Sequence, residues 1–130
     1  VYIDGRSASP SDTEDLDRAV VCLNFRAKGT QARSEVIARV LNGVRFPRTL
    51  GTAALETAYV AVGRVDGYME LIGRLRTYDC IASLMLVEEA GGCFRLLNEE
   101  LDDIDLRRMY RLSYVAACGR KLLDSLLALL

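Results

Sequence analysis

The sequence predicts an α/β fold, a layered mixed β-sheet flanked by helices, and three observations carry that expectation. AVVCLNFRA, residues 19–27, is an apolar, β-branched run with no helical period. Residues 30–41 and 51–63 repeat apolar side chains at three- and four-residue steps, as helices with one buried face do. Strand-like and helix-like segments then alternate to the end of the chain, which favours parallel pairing, while an Asp4-Gly5 turn near the start favours an antiparallel hairpin. The chain has 130 residues, 51% of them hydrophobic, and no shift of composition along its length, so residues 1–130 are expected to form one domain.

Each element has its own signal. VYIDGRSASPSD alternates apolar and polar residues around Asp4-Gly5, a dipeptide suited to the positive φ angles of a tight hairpin. The run 19–27 follows as a buried strand, closed by Lys28-Gly29. Ala32, Val36, Ile37, Val40 and Leu41 then mark an amphipathic helix that stops at Gly43. A short strand is expected around Val44 to Phe46, before Pro47 removes a donor. In the next helix Leu55, Ala58, Tyr59 and Val62 share a face, Thr52 is placed to cap the start and Gly63 the end, and VDGYME follows as a strand. Asp79 precedes CIASLMLVEEAGG, a helix apolar on nearly all sides for two turns, which must therefore be covered on both sides. CFRLLNE reads as a strand, residues 99–108 as a charged surface connection with a helical turn, and YVAACG as a last buried strand. The leucines of GRKLLDSLLALL are suited to the sheet or to a neighbouring subunit.

Composition prunes the functions. A net charge of −1 with both signs spread along the chain provides no cationic arm or patch for nucleic acid. No apolar stretch reaches the roughly 18 residues of a membrane span, and no basic segment leads into an apolar core at the start, so the chain reads as soluble and cytoplasmic. It lacks an initiating methionine and begins directly on a strand, as an internal fragment would. With no histidine, neither Ser-His-Asp nor Cys-His catalysis can be assembled. Cys22, Cys80, Cys93 and Cys118 show no C-x-x-C spacing and sit in apolar segments, as small buried hydrophobes do.

Two segments are candidates for chemistry. On spacing alone Asp79 is an N-cap, whose carboxylate would accept backbone N–H groups for about 1 kcal/mol. GTAA, residues 51–54, places a glycine and a hydroxyl at a helix start, where unpaired N–H groups favour an anion or a sugar hydroxyl. In wording and order these segments resemble the inositol monophosphatase family over most of the chain. The likeness centres on RTLGTAALETAYVAVGRVDGYME and TYDCIASLMLVEEAGG, with Tyr78 where the family usually has tryptophan. VYIDGRSASPSD resembles the family's mid-chain hairpin, and YVAACGRKLLDSLLALL its final strand and helix.

The resemblance implies that the chain is the carboxy-terminal half of a magnesium-dependent phosphatase acting on inositol phosphate or a related sugar phosphate, and a homodimer when whole. It implies that Asp79 is a Mg2+ ligand, that Gly51, Thr52 and Ala53 border the substrate, and that Glu70 accepts hydrogen bonds from substrate hydroxyls. Arg48 matches a recurrent family arginine, readable as a substrate contact or as a salt-bridged surface or interface residue. The connection from Glu70 to Asp79 exceeds the usual family length by about two residues and carries Arg74 and Arg76, read either as loop charges or, as in archaeal members that also hydrolyse fructose 1,6-bisphosphate, as cations for a second phosphate. The family's glutamate pair and its aspartate-proline-x-aspartate-glycine-threonine motif are missing, so this chain by itself is expected to be inactive, completed by an amino-terminal domain. The rival reading is a non-catalytic dimerisation or regulatory module that docks through the terminal leucine helix.

Overall fold

The computed structural model describes residues 1–24, 31–100 and 104–130, the side chains of residues 31–33 excepted. The chain opens with the expected hairpin, β1 (Tyr2–Ile3) against β2 (Arg6–Ser7), whose turn residues Asp4 and Gly5 both take positive φ, 50° and 74°. A five-stranded sheet follows in the order β4-β3-β5-β7-β6. β3 (Val20–Asn24) pairs in parallel with β4 (Phe46–Arg48) and with β5 (Gly67–Arg76), while β7 (Arg111–Ala117) runs antiparallel to β5 and to β6 (Cys93–Leu96). The sheet is therefore mixed, as expected, but β7 makes it so and not the hairpin, which forms a separate two-stranded sheet.

Period-two alternation sends successive strand residues to opposite faces, and each face has its own helix layer. Val21, Leu23, Met69, Val115 and Ala117 meet Val40 of α1 (Gln31–Gly43) and Leu122, Leu123 and Leu126 of α4 (Arg120–Leu127). Cys22, Tyr68, Leu112, Tyr114 and Ala116 meet Val60 and Ala61 of α2 (Ala53–Ala61) and Cys80, Leu84 and Val87 of α3 (Thr77–Glu89). The three leucines of α4 are fully buried on the chain's own sheet, which removes them as a docking face. Gly67 admits that helix: a Cβ there would come within 3.0 Å of Leu126 Cδ1. Among the described residues no helix is long and apolar enough to cross a membrane.

Four expectations need correction. The strand expected at 44–46 starts at Phe46 and runs through Pro47, because Val44 still donates to Val40 at the end of α1 and β4 is an edge strand that can tolerate a missing donor. The predicted connection after Glu70 is strand as far as Arg76. β7 is long enough to pair with it, and the register slips between Glu70 and Leu75, where Gly73 takes φ 68°. α3 consequently begins at Thr77, Arg76 is its N-cap, and Asp79 is the third helical residue rather than the cap. Finally, α3 is covered on one side only: Tyr78, Met85 and Leu86 are exposed. The ends of two predicted elements, Phe25 to Ala27 of the strand and Thr30 of the helix, lie outside the described residues, as do residues 101–103 of the charged connection.

Candidate active site

β4 and β5 are both parallel to β3, so α2, which joins them, must run back against the strand direction. β6 is antiparallel to β7 and therefore parallel to β5, so α3 runs back in the same way. Both helix N-termini thus lie at the carboxyl edge of the parallel strands, the place where open α/β sheets bind ligands. The residues singled out from the sequence come from that edge: Arg48 ends β4, Gly51 to Ala53 open α2, and Asp79 lies in the first turn of α3.

The approach to α2 is shaped by backbone and by one buried acid. Gly51 turns the chain with φ 80°. Thr52 is the N-cap residue and is exposed, but its side chain makes no capping bond, contrary to the expectation from spacing. The turn is held from inside by Glu56, only 1% exposed, whose Oε1 accepts the Leu50 amide at 2.5 Å. Sequence reasoning missed Glu56. An acid in a helix's first turn was the available signal, displaced by one residue from the capping-box spacing. Arg48 is exposed, donates to its neighbour Pro47 O at 2.9 Å and lies 6.0 Å from the centre of the Phe46 ring. It forms no ion pair among the described residues.

Asp79 is half-buried, and its Oδ2 accepts the Arg76 amide at 3.1 Å. The Arg76 guanidinium turns instead to Tyr78, lying over its ring and donating to its hydroxyl. Arg74 and Arg76 are strand residues rather than loop charges: Arg76 pairs with Arg111 across the ladder, and Arg111 Nη1 donates to Arg74 O at 2.6 Å.

Glu70 lies beneath the edge at 0% exposure. Oε1 accepts the Ile72 amide at 2.9 Å, while Oε2 accepts Asn24 Nδ2 at 2.6 Å and the Tyr68 hydroxyl at 3.3 Å. Burial raises its pKa despite these donors, because desolvation of the charge outweighs them. Beside it Tyr68 packs on Tyr114, ring centroids 5.5 Å apart, and the Tyr114 hydroxyl is 2.8 Å from Thr57 Oγ1 on α2.

Two thiols register how these groups gather. Cys80 is pushed up to about 12, first by burial, then by the nearby charges of Asp79 and Glu70. Cys22 is pushed up to about 11 by burial and by Glu56, with Arg48 acting in the opposite sense. Cys80 thus lies within electrostatic reach of both Asp79 and Glu70, and Cys22 within reach of both Glu56 and Arg48. Among the described residues no three histidine, cysteine or acidic side chains form a metal-binding group. Mg2+ takes about six oxygen ligands in near-ideal octahedral geometry, so Asp79 fits such an ion as one hard ligand among several and cannot hold it alone.

The whole chain, residues 1–130, matches the inositol monophosphatase family. It is 38% identical over 129 residues to a fructose-1,6-bisphosphatase/inositol-1-monophosphatase of Methanothermobacter thermautotrophicus, covering 97% of this chain and 44% of that protein. It is 30% identical over 101 residues to the inositol-1-monophosphatase of Bacillus subtilis, covering 76% of this chain and 37% of that one. The extragenic suppressor protein suhB of Bartonella henselae superposes with a TM-score of 0.80 at 26% identity, over 98% of this chain and 48% of its own. The chain therefore spans less than half the length of these relatives. A family match along every residue, with the same layered fold beneath it, establishes that the chain belongs to the inositol monophosphatase family.

Proposed function

We propose that the chain is the carboxy-terminal part of a magnesium-dependent phosphomonoesterase that hydrolyses inositol monophosphate or a related sugar phosphate. Here it contributes one metal ligand and one wall of the substrate pocket. The observation that carries this reading is the convergence of two helix N-termini and Asp79 at the carboxyl edge of the parallel strands. The activities named for the archaeal and Bacillus relatives support the reaction class. A homodimer and a cytoplasmic setting belong to the same reading.

Asp79 would hold Mg2+ through a carboxylate already oriented by the Arg76 amide. When bound, the ion supplies a water of lowered pKa and neutralises charge that develops on the transferring phosphoryl group. The unpaired N–H groups of the first turn of α2 and the exposed Thr52 hydroxyl donate to phosphate or sugar oxygens, favoured by the positive end of the helix dipole. The Gly51 to Ala53 backbone forms that wall, and Arg48 adds a cation at the end of β4. Glu70 enters as an acceptor for sugar hydroxyls on the family likeness; its geometry in this chain is that of a buried anchor under the site.

The test joins this chain to the remainder of a family member and measures magnesium-dependent phosphate release from inositol monophosphate. Asp79→Asn should abolish most of the turnover while costing about 0.3–1 kcal/mol of stability, the worth of a first-turn charge on the helix dipole. Full activity in that variant would refute the metal assignment. The chain by itself should release no phosphate, since it lacks the other ligands.

A further inference from the structure

We propose that Glu70 is a positioning residue for the metal ligand: its carboxylate fixes the bulge of β5, and the bulge fixes where α3 presents Asp79. This rests on the functional reading above for Asp79, and it gives Glu70 a task other than accepting sugar hydroxyls.

The ladder leaves a gap that this side chain fills. Glu70 lies opposite Tyr114 and Leu75 opposite Leu112, so β5 has four residues, Leu71 to Arg74, where β7 has only Ser113. Ser113 is already engaged on the β6 side, its amide donating to Asn98 Oδ1 at 2.7 Å and its carbonyl accepting the Leu97 amide at 2.8 Å. Backbone donors that lose their ladder partner need another acceptor. Glu70 Oε1 provides it for Ile72 at 2.9 Å, and the Gly73 amide also favours the charged carboxylate. Gly73 closes the bulge at φ 68°, where an added Cβ would come within 3.0 Å of Ser113 Oγ.

Little of the carboxylate is left for a substrate. Its other oxygen accepts Asn24 Nδ2 and the Tyr68 hydroxyl, and the chain's own residues seal the group at 0% exposure. Beyond the bulge the backbone leads directly to the metal ligand. Arg76 pairs with Arg111, the Thr77 amide donates to Tyr110 O at 3.2 Å, and the Arg76 amide orients Asp79 Oδ2 at 3.1 Å. A slip of one residue in the bulge would turn Leu75 to the opposite face and carry the start of α3 with it.

The test uses the joined protein described above. Without metal, Glu70→Ala and Gly73→Ala should each speed amide hydrogen exchange at Ile72 and Arg76. With metal, each should raise the Mg2+ concentration for half-maximal phosphate release by about tenfold, as loss of a residue supporting a metal ligand does, and leave KM for inositol monophosphate at saturating Mg2+ unchanged. Glu70→Gln keeps an acceptor for Ile72 and should restore most of both properties. A raised KM with an unchanged Mg2+ requirement in Glu70→Ala would overturn the proposal in favour of a substrate contact. So would a wild-type Mg2+ requirement in Gly73→Ala, or an unprotected Ile72 amide in the wild-type protein. If Glu70→Ala does not fold, these last two measurements decide the matter. The functional reading fails separately, if the wild-type joined protein releases no phosphate with magnesium or Asp79→Asn releases it undiminished.

Discussion

The Thr57–Tyr114 bond ties α2, the helix that presents Thr52, to a central strand, and a double-mutant cycle on it tests how the site is anchored. Both residues are 0% exposed, and their oxygens lie 2.8 Å apart. Removing one partner leaves a buried hydroxyl unsatisfied, at a cost of about 1–3 kcal/mol, whereas replacing both by apolar groups of similar shape is nearly neutral. The two single variants should differ. In Tyr114→Phe the Thr57 hydroxyl can rotate to the Ala53 carbonyl one turn earlier, so the loss should be about 1 kcal/mol. In Thr57→Val the phenol is held by its ring against Tyr68 and has no such alternative, so the loss should approach 3 kcal/mol. The double variant should recover to within about 1 kcal/mol of wild type. Urea unfolding reads these values directly, and for a chain of this size 1 kcal/mol corresponds to about 3–5 °C in Tm. Simple additivity of the two single losses would refute the reasoning, since it would mean that the hydroxyls do not depend on each other.

Other outcomes follow from the same packing. Gly92→Ala should cost about 1–3 kcal/mol in urea unfolding, because its Cβ would meet Ala117 O and Val87 Cγ1, both at 2.9 Å, and one of these is backbone; an unchanged midpoint would contradict that contact. The pKa of Glu70 is raised by burial, so the folded chain holds its proton more tightly than the unfolded chain. Its stabilising contribution is complete below the ordinary glutamate range and is lost as pH rises through the raised value. Glu70→Gln should therefore flatten the decline in stability above pH 4.5, and parallel pH profiles for wild type and variant would count against it. Cys22 and Cys80, buried and pushed up to about 11 and about 12, should react with thiol reagents near neutral pH only after unfolding, and prompt reaction of either in the folded chain would contradict their placement.

Much of the local structure was legible because its causes are local. Asp4-Gly5 makes its own turn, Leu122, Leu123 and Leu126 share a helix face at any register, and the β-branched residues of 20–23 suit a strand wherever it pairs. β5 was read short because Leu71 to Arg76 has no alternation of its own. Only the presence of β7 beside it, with a bulge to absorb Ile72 and Gly73, makes it a strand. The role of Asp79 as a first-turn acceptor, third in the helix rather than its cap, followed from that same extension.

The sequence by itself determined the fold class, the family, the hairpin and the identity of the edge residues, since periodicity, turn chemistry and motif order reside in neighbouring residues. Tertiary structure decided which way the helices face. Nothing local to LETAYVAV states that Glu56 would be sealed inside while Leu55 faces out, because that depends on the Leu50 amide reaching Glu56 from the preceding turn and the Tyr114 hydroxyl reaching Thr57 from a strand 57 residues away. Such partners convert buried polar atoms from a penalty into an anchor, and the one from Tyr114 exists only once the sheet has formed.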